Sequence, residues 1–131
     1  WAVENRLVLG QRPVPAGGHE ITTIPDLLAT LDLAGAVVTI DAAGCQKATV
    51  EQVRARGGDY IVCVKGNQPG LRDAVAAVFD RAAATDFAGC GMAAETGTGH
   101  GRAEERYVTV VENPEGLPDG WAGVGAVALV C

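Results

Sequence analysis

The residues best placed to do chemistry stand at the ends of apolar runs. Asp41 directly follows Ala36-Val-Val-Thr-Ile40, and Lys65-Gly-Asn67-Gln68 follows Tyr60-Ile-Val-Cys-Val64. Ligands of open α/β sheets bind beyond the carboxyl ends of the strands, so both groups are expected at such a rim. Each has an ordinary reading beside it: Asp41 as the cap of the next turn, and residues 65–68 as a solvated loop. Gly97-Thr-Gly-His-Gly-Arg102 has the glycines of a phosphate-cradling loop, but no strand is expected before it and no helix clearly follows. Glu104 and Glu105 beside Arg102 and Arg106 read as a solvated charge cluster, and His100 as a structural hydrogen-bonder. Cys45, Cys63, Cys90 and Cys131 are spaced by 18, 27 and 41 residues, and the chain has two histidines, His19 and His100. That spacing argues against a structural zinc site.

The elements that must position these residues alternate. Leu7 to Gly10 reads as a short strand, ended by Pro15-Ala-Gly-Gly18. Ile21, Ile24, Leu27, Leu28 and Leu31 fall on one helical face, predicting a helix from Glu20 to about Asp32. Val37 to Ile40 is a β-branched run expected to be covered on both faces. Gln46 to Arg56 reads as a helix ended by Gly57-Gly58. Tyr60 to Val64 is a second buried strand, and right-handed crossovers place it parallel to the first. Leu71 to about Ala84 is the most regular helix. Residues 85–101 read as a flexible insert, Arg106 to Val111 as a strand, and residues 112–131 as an irregular tail. Alternating strands and helices predict an α/β fold in a single domain over 1–131.

Composition sets outer limits. The 131 residues are 48% hydrophobic and 20% charged, enough for an ordinary core. No apolar run approaches the roughly 20 residues of a membrane span. Ten basic against sixteen acidic side chains leave a net charge of −6, unlike a dedicated nucleic-acid-binding module with its basic stripe. A catalytic domain whose carboxylates hold metal ions remains compatible with that balance. The chain opens at Trp1-Ala-Val-Glu-Asn5 with no initiator Met, basic n-region or cleavage site. It is expected to be a piece of something longer, in the cytoplasm, with reduced thiols.

Five blocks, in this order, resemble one family. They are Glu4-Asn-Arg-Leu-Val-Leu-Gly-Gln11, His19-Glu-Ile-Thr-Thr-Ile-Pro-Asp-Leu-Leu28, Val38-Thr-Ile-Asp-Ala-Ala-Gly-Cys-Gln-Lys47, Gly58-Asp-Tyr-Ile-Val-Cys-Val-Lys-Gly-Asn-Gln-Pro69 and Gly99-His-Gly-Arg-Ala-Glu-Glu-Arg106. Together they are similar to the DDE transposases of bacterial insertion sequences, in the group of the H-repeat-associated proteins. The resemblance runs from the first residue to about Val111.

It implies a ribonuclease H-like mixed sheet with flanking helices and phosphoryl transfer on DNA. Three carboxylates of that family bind two Mg²⁺ or Mn²⁺ ions, which serve the attacking and leaving oxygens. Asp41 matches the second acid, and Glu104 the third, with Glu105 the alternative. Lys65, Asn67, His100 and Arg102 would contact DNA phosphates. The family's first Asp lies on an opening strand upstream of the segment matching Trp1, and no Asp precedes Asp26 here. A fold truncated at that strand, at most one weakly held ion and no strand cleavage are therefore expected. Asp41 and Glu104 should approach each other at the carboxyl edge of the sheet. The unpaired edge beside Leu7 to Gly10 predicts a homodimer. The alternative is a non-enzymatic, dimerising α/β remnant without DNA chemistry.

Overall fold

A computed structural model describes the backbone of residues 1–99 and 102–131 and the side chains of 1–97 and 105–131. The chain divides into two compact units: Trp1–Pro69 with Gly120–Ala122, and Gly70–Asp119 with Gly123–Cys131.

The first unit holds α1 (Glu20–Leu28), β1 (Val37–Ile40), a 3₁₀ turn (Ala42–Gly44), α2 (Lys47–Ala55) and β2 (Asp59–Val62). β1 and β2 pair in parallel from Val37 opposite Asp59 to Ile40 opposite Val62, as the two β-branched runs led us to expect. α2 ends where two glycines follow it. Gly57, at φ +75°, returns its N–H to Arg54, and Gly58 returns its own to Val53. That double closure satisfies the last carbonyls of the helix. α1 stops at Leu28, four residues short of the sequence expectation. Thr30 and Leu31 bond back to Leu27 and Leu28 in tighter, three-residue steps, and the Thr30 hydroxyl also takes the Leu27 carbonyl.

Leu28, Leu33 and Val53 form the centre of this unit, with Ile24, Leu31, Val38 and Tyr60 packed around them. Residues 120–122 return to it. Trp121 is buried, and the Tyr60 hydroxyl donates to the Ala122 carbonyl at 2.8 Å. Strand alternation sends Val38, Ile40, Tyr60 and Val62 inward and leaves the other face in solvent, with Val37 60% and Ile61 61% exposed. The expectation of a sheet covered on both faces is therefore corrected to one covered face.

Three further expectations give way. Leu7 to Gly10 forms no strand. One bridge joins Ala2 and Leu7, and Leu7, Val8 and Leu9 are exposed. An apolar run becomes a strand only when a neighbour takes up its N–H and C=O groups, and no described strand lies beside it. The sheet edge invoked for a homodimer is therefore not formed there. Within residues 85–101, where no strand was expected, Gly91–Gly99 forms β3. The irregular tail contains β5, Ala126–Val130.

In the second unit β3, β4 (Arg102–Glu112) and β5 make a three-stranded antiparallel sheet in chain order, beside α3 (Pro69–Ala83). β4 is central, with Val110 opposite both Gly91 and Ala128. Small residues of low strand propensity in β3 are held by pairing with Tyr107-Val-Thr-Val110, so context overrides local preference. Asn113 ends β4 at φ 47°, a left-handed conformation that Asn tolerates, and its N–H reaches the Gly125 carbonyl. The expected largely parallel sheet is thus a parallel pair in one unit and an antiparallel sheet in the other, a mixed α/β protein.

Candidate functional site

Parallel pairing sends the chain out of β1 and β2 at the same rim, and two loops begin there. Asp41 leaves β1 in extended conformation and its Oδ1 accepts from the N–H groups of Ala43 (3.0 Å) and Gly44 (3.4 Å). The capping reading is therefore realised: the carboxylate closes the 3₁₀ turn that follows it. One oxygen makes both bonds, and the side chain is exposed, so Oδ2 remains for a solvent-side ligand. Only glycine fits at position 44. A Cβ there would lie 2.2 Å from Ile40 Cγ2 and 3.0 Å from Ile24 Cδ1.

The second loop lies against the first. Asn67 Nδ2 donates to the Ala42 carbonyl at 2.5 Å. Gln68 Nε2 donates to the Cys45 carbonyl at 2.9 Å and to Gln46 Oε1 at 3.2 Å. Lys65 is exposed on the same loop. Beside the turn, Ala43 borders an open cleft of about 450 Å³ with Val14, Gly18, His19, Glu20 and Ile21. Beneath it, Cys45 is fully buried. Burial first, and the nearby Cys63 second, push its thiol pKa up. Burial likewise raises the Tyr60 phenol.

The structure thus gathers Asp41, Lys65 and Asn67 at one rim. Glu104 and Arg102 belong to β4 in the other unit, opposite Gly97 and Gly99. Their side chains, and His100 altogether, lie outside the described residues. Glu105, the alternative third acid, is exposed and its Oε2 accepts from the Tyr107 hydroxyl at 2.9 Å. Among the described residues no group of three or more His, Cys, Asp or Glu could hold a metal ion. Sequence reasoning missed the part played by Gln68. Its partners lie 23 and 22 residues away in sequence, a relation that only pairing of β1 and β2 creates.

The sequence matches the family described as "Transposase DDE domain" over residues 1–117. It is 40% identical to the "Uncharacterized protein in dhlA 3'region" of Xanthobacter autotrophicus, over 99% of this chain and 44% of that protein. It is 38% identical to the "H repeat-associated putative transposase YbfD" of Escherichia coli K12, over 91% of this chain and 47% of that protein. The chain therefore spans less than half the length of either relative. No solved structure matches it significantly.

Proposed function

Since the chain belongs to the DDE transposase family, we propose that it is part of the catalytic core of a DNA transposase, with Asp41 as one of its metal-binding carboxylates. The observation that carries this reading is the place of Asp41. It ends the first strand of a parallel pair, is fixed by two backbone N–H groups and keeps one oxygen for a ligand. Lys65, on the loop leaving the neighbouring strand, supplies a cation at the same rim for a DNA phosphate.

The ribonuclease H-like arrangement, the DNA partner, the divalent ions and a cytoplasmic setting all belong to this proposal. Among the described residues no helix is long and apolar enough to cross a membrane. A pair of divalent ions in such a site would stabilise the attacking and leaving oxygens of an in-line displacement. The described residues fit only part of that requirement, because Asp41 offers one carboxylate at the rim and no group of three or more such ligands is gathered among them. Glu104, from β4, remains the proposed further acid.

The test is Mn²⁺ binding followed by electron paramagnetic resonance. The 131-residue chain is expected to hold at most one ion weakly, to lose it on Asp41→Asn, and not to nick DNA. Binding that is indifferent to Asp41→Asn would refute the assignment, as would nicking by this chain alone.

A further inference from the structure

An exposed carboxylate points where the backbone of its own turn allows. Asp41 is bonded within the turn through Ala43 and Gly44, but those bonds do not fix how the turn sits on the sheet. Gly44 seats the turn against Ile40 and Ile24, and its flanking carbonyls, at Ala42 and Cys45, are both taken by the loop that leaves β2. Asn67 holds the first from 25 residues away, and Gln68 holds the second from 23. Gln68 also reaches the side chain of Gln46, the residue capping α2. The loop is itself closed by the Gln68 N–H on the Lys65 carbonyl at 3.1 Å. The turn is thus gripped at both ends by two neighbouring amide side chains.

We propose that Asn67 and Gln68 are positioning residues for the Asp41 carboxylate, clamping its turn from the adjacent loop. This rests on the reading of Asp41 as the metal-facing acid. It also gives Asn67 a task different from the phosphate contact expected of it, and leaves Lys65 as the cation of that loop. Neighbours that orient a ligating group commonly affect metal affinity by 10- to 100-fold without touching the metal. Both amides act here as donors, and their acid isosteres keep the shape while removing the donor.

The experiment is ¹⁵N NMR of the 131-residue chain carrying Gln68→Glu or Asn67→Asp, with the exposed Glu51→Gln as control. In the absence of metal, the Ala43 and Gly44 amides should shift and exchange faster in both clamp variants. Those of Val50 and Val53 in α2 should stay in place. Added Mn²⁺ should broaden residues 41–44 in the unsubstituted chain, and about tenfold more should be needed in Gln68→Glu. Ala43 and Gly44 amides that do not respond to Gln68→Glu would overturn the clamp. Should that variant fail to fold, Asn67→Asp reads the same amides from the other end of the turn. An unsubstituted chain that shows no broadening would sink the metal reading alone, and the metal-free amide shifts would still decide on the clamp.

Discussion

At Asp41 substitution can separate the cap on the turn from the ion binding proposed for the same side chain. Asn keeps an oxygen for the Ala43 and Gly44 N–H groups, whereas Ala removes both the cap and the charge. Asp41→Ala should therefore cost about 1 kcal/mol of stability, measured by urea unfolding, while Asp41→Asn should cost clearly less and still abolish ion binding. Equal destabilisation by the two would show that the cap contributes nothing. Gly44 presents the complementary case. A methyl group there meets the branched Cγ2 of Ile40 at 2.2 Å, so something must shift. Gly44→Ala should cost roughly 1–3 kcal/mol from overpacking. Cys45 adds a pH dependence. Its folded-state thiol pKa lies above the ordinary 9.0, so the fold favours the protonated form. The associated stability is complete below that ordinary value and is lost as pH rises through the folded pKa, with Tyr60 acting in the same direction further up. The melting temperature should fall as pH is raised above 9. At neutral pH a thiol reagent should label the exposed Cys63 well before Cys45.

At the scale of elements, the clearest stop signal in the chain is the Gly57-Gly58 pair. Gly57→Ala forces a side chain into a left-handed conformation and should cost about 1 kcal/mol, which a shift in the urea midpoint would show. An unchanged midpoint would mean that the end of α2 is free to re-form elsewhere. The same pair shows what the sequence could reveal. β-branched runs bounded by glycines, the helix between them and Asp41 at the strand end are local patterns, and all were legible. Leu7 to Leu9 carries an equally apolar signal and yet forms no strand, because a strand depends on a partner that local pattern does not report. β3 is the converse: Gly91–Gly99 has little intrinsic preference for extension, and its strand is imposed by β4. The clamp at the site was hidden for the same reason, since Gln68 meets Cys45 and Gln46 only after two strands pair. Where a feature depends on one residue at one strand end, as the place of Asp41 does, it can be read. Where it depends on two segments meeting it cannot.

At the scale of the molecule, the first unit leaves apolar surface uncovered. Parallel sheets are ordinarily covered on both faces, and two-stranded sheets alone are marginal in water. Here Val37 and Ile61 are more than half exposed on the outer face, and Leu7, Val8 and Leu9 are exposed in succession. Among the described residues no third strand pairs with either edge of β1 and β2. Such surface and such edges favour association with another chain. The 131-residue chain should therefore form dimers or larger species in a concentration-dependent way, seen by multi-angle light scattering. Ammonium sulfate should strengthen the effect, because excluded salts favour apolar burial. Ile61→Lys separates apolarity from charge. It lowers the net charge from −6 to −5, which by itself would weaken repulsion between copies, yet it removes apolar surface. Because Ile61 is exposed, the substitution should leave stability within about 0.5 kcal/mol while shifting the population toward monomer. A strict monomer at high concentration would contradict the prediction. So would association that Ile61→Lys strengthens, since charge rather than the uncovered face would then be in control.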